Sequence, residues 1–267
     1  MTAPARPILR NSILAAGSGA PVLLLHGSVS SAAMWTPVIN VLKARFRVLA
    51  PDLIGYGRTD PWPSEHEFTL EDEVRLIEPL MKNERDGVHV VAHSYGGAIA
   101  LQLARLRPVA IRSLTLIEPV TFYALRDAGE PQAWSEAETF RAAYVARIAA
   151  GETEAAMRAF VDYWSIAGTW DAMDEAARAQ MRRAAGKIVL DFQAAFADPG
   201  PDPLRDVRIP VHLLAGDKSP RPVQRIAAVL AKSLPSATLQ IVAGANHLLP
   251  ATHHEVVSAF LLKELAV

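Results

Sequence analysis

The chain has 267 residues, 51% of them hydrophobic, and its 27 Lys and Arg residues nearly balance 28 Asp and Glu residues, for a formal net charge of −1. This length suits one large domain or a domain with an insertion. The balanced charge, without a long run of one sign, argues against nucleic acid or an anionic membrane surface as partner. The absence of cysteine excludes disulfides, thiolate catalysis and cysteine-based metal sites.

The N-terminal segment MTAPARPILRNS contains neither the apolar stretch nor the cleavage signature of a secretory signal. No apolar run approaches the ~18 residues that a membrane span needs. We therefore expect a soluble, cytoplasmic protein that has no membrane partner.

Six short apolar runs predict strands that are buried on both faces, as in a parallel sheet covered by helices. In chain order they are PVLLL (21–25), RVLA (47–50), VHVVA (88–92), SLTLI (113–117), VHLLA (211–215) and LQIVA (239–243). Before the first run, PILRNSILAAGSGA (7–20) is typical of a hairpin or a pair of antiparallel strands that ends in a glycine-rich turn.

Helical patterns lie between these runs, so the sequence predicts an α/β fold with a doubly wound, mostly parallel sheet. Thr69 and Asp72 have the spacing of a capping box at the start of one helix, which Pro79 should kink or end. Another helix should have Ser219 as its N-cap and Pro220 at its first position.

The alternation of strands and helices stops between roughly 120 and 200, where Ala, Glu and Arg are frequent. We expect residues 1–119 and 204–267 to form the core and residues 120–203 to form an inserted helical cap. Three prolines mark the return to the core: Pro199, Pro201 and Pro203. The stretch holds 11 of the 18 aromatic residues. A small helical layer needs aromatics for its own core, but as a set they suggest a lid with an apolar underside.

A serine follows the run at 88–92 directly, in the sequence VVAHSYGG, and a helical pattern follows the serine. At such a strand-to-helix corner, a serine is held in a strained backbone conformation with its Oγ exposed above the sheet as a nucleophile. The usual pattern is G-x-S-x-G, and here Ala92 adds one methyl group at the first glycine. The alternative is that Ser94 is only the N-cap of an ordinary turn.

The loop after the first apolar run begins with His26, Gly27 and Ser28. A nucleophile at a strand-to-helix corner needs two backbone N–H donors for the oxyanion, one from the next residue and one from the loop after an earlier strand. Tyr95 and Ser28 are the candidates for this oxyanion hole. We expect a structural role for His26.

Asp217 and His247 also follow apolar runs, and ligands of open α/β sheets bind at the carboxyl ends of the strands. The order Ser94, Asp217, His247 is the order of serine, acid and histidine in enzymes with this nucleophile corner. Glu118 follows a strand as well and is the alternative acid, although Asp217 is the preferred candidate. In the preferred assignment Glu118 caps or lines the site entrance.

In these motifs the chain resembles the α/β-hydrolase-fold superfamily over nearly its whole length, as a serine-nucleophile member with a helical cap. HGSVSSAAMW, APDLIGYGRTD, VAHSYGG, AGDKSP and GANHL are similar to the family's landmarks in order. The departures are Ala92, Thr59 in place of a common Ser, and Asn246 in place of a common Gly, and none of them removes a reacting atom. Some members of the family take the acid from the strand that here precedes Glu118.

The resemblance implies a serine hydrolase that forms a covalent acyl-enzyme on a small to medium, largely apolar ester or lactone. Trp164, Phe122 and Tyr123 are the candidate substrate-binding residues. Relatives with haloalkane dehalogenase or epoxide hydrolase activity have Asp in place of Ser94, which argues against those reactions. Three alternatives stay open: hydrolysis of a C–C bond next to a carbonyl, perhydrolysis without a cofactor, and a catalytically weak ligand receptor on the same fold.

No cofactor and no metal are expected. Gly55 and Gly57 lack the third glycine of a dinucleotide fingerprint, because Asp60 stands there, and the sequence His253-His254-Glu255 does not have the spacing of a zinc motif. The expected partner is a small-molecule substrate, with no nucleic acid and no membrane, and a homo-oligomer remains open.

Overall fold

A computed structural model describes residues 9–63, 66–82, 84–107, 110–197, 204 and 207–266, so Pro199, Pro201 and Pro203 lie outside the described residues. Seven strands form one sheet in the order β1-β3-β2-β4-β5-β6-β7. The strands are β1 (Ile13–Ala16), β2 (Ala20–Leu25), β3 (Phe46–Pro51), β4 (Val88–His93), β5 (Ile111–Ile117), β6 (Val211–Gly216) and β7 (Ala237–Val242). All neighbours pair in parallel except β1 and β3, which confirms the predicted fold class.

A hairpin or a pair of antiparallel strands was predicted within 7–20, but the described residues 9–19 contain one strand, β1, and its antiparallel partner is β3. The turn between β1 and β2 passes close to the backbone before β3: a Cβ at Gly17 would lie 2.2 Å from the Phe46 carbonyl oxygen. Gly17 also has φ +78°, a conformation that glycine adopts without strain. This turn lets β2 run parallel to β3 while β1 lies on the outer edge.

Burial separates the central strands from the edges of the sheet. The side chains of β4 are buried along its whole length, whereas β7 alternates and exposes Ile241. The continuous burial expected for all six runs holds at 88–92 and 113–117 and nearly holds at 21–25 and 211–215. It fails at 47–50, where half-buried and buried side chains alternate, and at 239–243 in the edge strand β7. The centre of the sheet is therefore the most deeply buried part of the strands that the structure describes.

Twelve α-helices are present in the described part of the chain. They are α1 (Thr36–Leu42), α2 (Leu70–Ile77), α3 (Tyr95–Leu106), α4 (Tyr123–Asp127), α5 (Pro131–Ala149), α6 (Thr153–Trp164), α7 (Thr169–Ala172), α8 (Glu175–Arg183), α9 (Ala185–Phe196), α10 (Arg221–Ser233), α11 (Leu249–Thr252) and α12 (His254–Glu264). Short 3-10 helices cover Ala32–Trp35 and Glu78–Met81.

The predicted helix starts succeed in one place and fail in another. Thr69 and Asp72 form the expected capping box of α2, and the α-helix gives way to a 3-10 turn at Pro79. By contrast, α10 begins one residue later than predicted, and Pro220 rather than Ser219 is its N-cap. The Ser219 hydroxyl is buried and has no hydrogen-bond partner among the described residues.

Helices α4–α9 follow β5 and precede β6, and the described residues between those two strands include no strand. Their aromatic side chains pack on one another: the rings of Phe140 and Tyr163 stack with centroids 4.1 Å apart, and the Trp170 Nε1–H donates to Glu154 at 2.8 Å. The same hydrophobic cluster continues into the sheet. The inserted helices therefore extend the core of one sheet face.

Candidate active site

Ser94 lies at a sharp corner between β4, which ends at His93, and α3, which begins at Tyr95. Its φ of 54° and ψ of −120° are unusual for a residue with a side chain, so the surrounding structure must impose them. Backbone contacts on both sides do so, because the Ser94 N–H donates to Ile117 O at 3.0 Å and its carbonyl accepts from Gly97 at 2.8 Å.

The corner is tight on its helical side. A Cβ at Gly96 would lie 2.6 Å from the His26 carbonyl oxygen and 2.7 Å from that of Leu25, so only glycine fits there. On the strand side, Ala92 is fully buried between Leu25 of β2 and Leu116 of β5. The methyl group of Ala92 is thus accommodated in a place where a larger side chain would crowd the side chains of Leu25 and Leu116 in the same cluster.

His247 lies beside the serine, in the loop that follows β7. Its Nε2 is 2.8 Å from Ser94 Oγ, and its side chain is buried. The loop is held from below by the His93 Nε2–H, which donates to the His247 carbonyl oxygen at 2.8 Å. Burial is the main cause and the neighbouring His247 the second cause that lower the pKa of His93 to about 3. His93 is therefore neutral and donates the hydrogen bond from Nε2.

The other nitrogen of His247 faces Glu118. Its Nδ1 is 3.2 Å from Glu118 Oε2, and the Glu118 side chain is completely buried at the end of β5. The second oxygen, Oε1, accepts from the Gly216 N–H, and the Glu118 N–H donates to Leu214 O at 2.9 Å. Glu118 has φ +54°, so its backbone is also held in an unusual conformation.

The structure does not bring Asp217 to His247, which corrects the preferred acid of the sequence analysis. Asp217 is exposed, and its Oδ1 accepts from the Gly244 N–H at 2.8 Å. Strand order explains the difference, because β5 lies next to the strand that carries Ser94 whereas β6 is one strand further away. Asp217 closes the turn before His247 and makes no contact with its ring.

The loop after β2 passes directly against the serine. A Cβ at Gly27 would lie 2.9 Å from Ser94 Cβ, and Ser28 lines the same pocket as Ser94 and Tyr95. His26 stabilises this loop from within: its Nδ1–H donates to Gly27 O at 2.7 Å and its Nε2 accepts from the Leu53 N–H at 2.9 Å. Burial lowers its pKa to about 4, which favours this neutral, structural form.

A mostly apolar cavity of about 370 Å³ lies above Ser94 and His247. The residues that line it come from the core and from the inserted helices, and they include Met34, Phe160, Met173, Met181, Phe192 and Leu248. Of the three predicted substrate-binding residues, Trp164 and Phe122 line the cavity, and the Trp164 ring is 4.5 Å from the His247 ring. Tyr123 does not: it lies in a separate buried cluster with Ala124 and Val229.

Sequence reasoning missed a buried ionic cluster beside this cavity. Lys187 on α9 forms ion pairs with Glu73 at 3.1 Å and with Asp191, one turn along the same helix. Tyr56 and Ser28 both donate to Asp191 Oδ2, each at 2.5 Å. The available signal was a Lys and an Asp four residues apart within the apolar helix sequence AGKIVLDFQAAF.

The charges in the cluster are unequal in number, with one ammonium against two carboxylates. Burial raises the pKa of Glu73 to about 7. Burial also acts to lower the pKa of Lys187, but the negative charges of Asp191 and Glu73 outweigh it and leave that pKa raised. Lys187 is therefore charged, and Glu73 is the member that takes up a proton near neutral pH.

The sequence profile described as "Alpha/beta hydrolase family" matches residues 22–260, which is most of the chain. The chain belongs to the alpha/beta hydrolase family. The probable lysophospholipase BODYGUARD 2 of Arabidopsis thaliana is 35% identical to this alpha/beta hydrolase over 130 residues, 42% of this chain but only 27% of that protein. The chain thus spans about a quarter of the length of that relative.

Two further comparisons extend along the whole chain of this alpha/beta hydrolase. The RutD protein of Azorhizobium caulinodans is 26% identical over 258 residues, covering 92% of this chain and 91% of RutD. The crystal structure of carboxylesterase CesB from Bacillus subtilis superposes with a TM-score of 0.74 at 20% identity, covering 98% and 89% of the two chains. At that identity the superposition establishes the fold alone.

The described residues contain no group of three or more His, Cys, Asp or Glu side chains arranged to hold a metal ion. In the same part of the chain, none of the helices has the length and apolar character needed to cross a bilayer.

Proposed function

We propose that this alpha/beta hydrolase is a serine hydrolase that uses Ser94, His247 and Glu118 as its catalytic triad. One observation carries the proposal: His247 contacts Ser94 Oγ at 2.8 Å through Nε2 and Glu118 at 3.2 Å through Nδ1. This is the arrangement in which a histidine takes a proton from a serine while a buried carboxylate orients it. The acid of the triad is Glu118 in this proposal, and Asp217 has no part in it.

The reaction proceeds through an acyl-enzyme. His247 Nε2 takes the Ser94 proton as Oγ attacks the ester carbonyl, and the Ser28 and Tyr95 N–H groups stabilise the oxyanion. The tetrahedral intermediate collapses, and the alcohol leaves with the proton that His247 holds. A water molecule then gives its proton to His247 and attacks the acyl carbonyl, which releases the carboxylic acid and restores the Ser94 hydroxyl.

The cavity favours a neutral, largely apolar substrate. Its described lining includes no Arg or Lys that could pair with an anionic substrate, and the one carboxylate that lines it, Asp191, is paired with Lys187. Its volume of about 370 Å³ suits a small to medium acyl or alcohol group. A ring-fission product that carries its own carboxylate fits this lining poorly, so ester or lactone hydrolysis is preferred to C–C cleavage.

Helices α4–α9 are the cap in this proposal. They supply much of the apolar lining, and Asn246, next to the catalytic histidine, donates from Nδ2 to Ser165 O at 3.4 Å. Arabidopsis BODYGUARD 2 is named as a probable lysophospholipase, which supports an acyl ester as the bond that is cleaved. The cap would then select the ester by the length and shape of its apolar part.

A fluorophosphonate probe tests the nucleophile directly. We expect the probe to label the wild type and Asp217→Asn at Ser94, and we expect no labelling of Ser94→Ala. p-Nitrophenyl esters of increasing acyl length, run beside a ring-fission dienone and a peracid assay, then test the bond that is cleaved. A folded wild type that is neither labelled nor active on any ester would contradict the proposal and favour a ligand receptor.

A further inference from the structure

We propose that Asp191, on α9 of the inserted helices, is a positioning residue for the oxyanion hole and acts through the Ser28 hydroxyl. The inference rests on the proposed serine hydrolase and goes one step further. It makes one residue of the inserted helices a determinant of the rate of acylation for every substrate, in addition to the effect of those helices on substrate choice.

The hydrogen bonds of Asp191 show why it acts on the protein rather than on the substrate. Its Oδ2 accepts from the hydroxyls of Ser28 and Tyr56, and its Oδ1 accepts from Lys187. A carboxylate oxygen offers about two acceptor positions, so Oδ2 is fully used although Asp191 lines the cavity. The Ser28 hydroxyl likewise donates its proton to Asp191, which fixes the side chain of the residue that supplies one oxyanion-hole N–H in the proposed reaction.

The backbone next to Ser28 needs such support. Val29 has φ +56°, a conformation that a β-branched residue adopts only when its surroundings impose it. In the described part of the chain, two other residues besides glycines have positive φ, and they are Ser94 and Glu118. Since those two carry reacting groups, the strained turn at Val29 belongs to the same preorganised site.

The anchor of Asp191 is itself rigid. Lys187 is buried and forms ion pairs with both Asp191 and Glu73 of α2. These ion pairs attach α9 to the core on the side of the loop that carries Ser28. Replacing Asp191 by Asn leaves Lys187 paired with Glu73 as one positive and one negative charge. A buried charge without a partner, which would threaten folding, is thereby avoided.

The test compares Asp191→Asn, Ser28→Ala and the double variant on p-nitrophenyl acetate and longer esters. We expect each single variant to lower kcat by about 10-fold, with KM changed less than about 2-fold and the same loss for every acyl length. In Asp191→Asn the single amide oxygen should face the Lys187 ammonium, so that the NH2 group, which cannot accept, faces the Ser28 hydroxyl. Because both changes then remove the same contact, the double variant should lose no more than the larger single loss. Inhibition by an alkyl boronic acid, which mimics the tetrahedral intermediate, should weaken by the same factor as kcat/KM.

Asp171→Asn is the matched control, because Asp171 is an exposed acid of the inserted helices that pairs only with Arg158 among the salt bridges described. It should leave kcat and boronate binding unchanged. If the Asp191→Asn chain does not fold, Ser28→Ala still tests the same contact by removing one hydroxyl. Losses that multiply in the double variant, or a change confined to KM or to acyl-length preference, would overturn the inference. A wild type that does not react at Ser94 would overturn both the proposed function and this inference. If the wild type is active and Ser28→Ala is equally active, the inference alone would be overturned.

Discussion

The carboxyl end of the sheet and the inserted helices contribute to the site in opposite ways. The strand ends place Ser94, Glu118 and His247 in buried positions, with hydrogen bonds to backbone groups and with positive φ at the first two. The inserted helices offer mainly aromatic and methionine side chains to the cavity. In one region the backbone fixes each reacting atom, and in the other the side chains shape an apolar volume.

The two regions should therefore respond differently to substitution. Groups fixed by the sheet should affect kcat to the same degree for every substrate, because they act on the reacting carbonyl. Side chains of the inserted helices should alter the ratio of rates between substrates, because they contact the variable part. Asp191 is the exception, since it reaches from the inserted helices to the loop after β2.

The largest effect should come from the two groups that transfer the proton. We expect Ser94→Ala or His247→Ala to lower kcat by roughly 10⁴–10⁶ for every ester, with the free energy of unfolding little changed. Steady-state kinetics with three acyl lengths and urea unfolding check both statements. If the residual activity of the variants depends strongly on acyl length, groups outside the strand ends also contribute to catalysis.

Next in size is the contrast between two carboxylates at neighbouring strand ends. Glu118→Gln should lower kcat by roughly 10²–10⁴, because the amide cannot stabilise the imidazolium and favours the wrong tautomer of His247. Asp217→Asn should change kcat less than about 5-fold, because its oxygen can still accept from Gly244. The reverse ranking of the two variants would restore Asp217 as the acid.

That contrast also marks the limit of what the sequence predicts. The apolar runs and the serine corner were sufficient for the fold class, the sheet and the positions of Ser94 and His247 at its edge. The sequence favoured Asp217 as the acid, whereas the structure places Glu118 beside His247, because both residues follow strands and only the strand order and the side-chain direction separate them. The Lys187 cluster was missed for a related reason, since its partner Glu73 is 114 residues away in the chain.

Acid should affect the sheet more than the inserted helices, which contain no histidine between 120 and 203. Burial lowers the pKa values of His26 and His93 to about 4 and about 3, so the unfolded chain binds more protons than the native one between those values and about pH 6.5. Their contribution is therefore complete above about pH 6.5 and is lost as the pH falls, by roughly 3–5 kcal/mol each.

Urea unfolding at pH 7.5, 5.5 and 4.5 measures this loss. His93→Gln keeps a donor for the His247 carbonyl and removes one titrating group, so its unfolding free energy should fall less steeply with acid than that of the wild type. Equal slopes for the two proteins would mean that His93 does not govern the acid response.

A smaller effect is expected at the strand side of the serine corner. Ala92→Val should cost about 1–3 kcal/mol of stability and roughly 100-fold in kcat, because overpacking between β2 and β5 displaces Ser94 Oγ. Ala92→Gly should cost only about 0.5–1 kcal/mol and leave kcat nearly unchanged. Ala156→Val, at a fully buried alanine of α6, is the matched change in the inserted helices and should lower stability without lowering kcat per folded molecule. A fully active Ala92→Val enzyme would show that the corner is not tight.

The smallest effect separates the two regions most directly, and it concerns Trp164. Its ring lines the cavity and lies 4.5 Å from the His247 ring, so in the proposed reaction it would contact both the variable part of the substrate and the triad. We expect Trp164→Ala to change the ratio of kcat/KM between long and short acyl chains by ~1 kcal/mol, about 5-fold, for each methylene that loses contact.

Trp134→Ala is the control for this experiment, because Trp134 packs on Phe196 in the same inserted helices and is not among the residues that line the cavity. It should lower stability and leave the ratio unchanged. Trp164→Phe should lie between the wild type and Trp164→Ala, since it keeps an aromatic face toward His247. If Trp164→Ala lowers kcat/KM by one factor for every acyl length, its contact with His247 dominates. In that case Trp164, although it belongs to α6, would act on the reacting groups as the strand ends do, and the other inserted helices would shape the cavity.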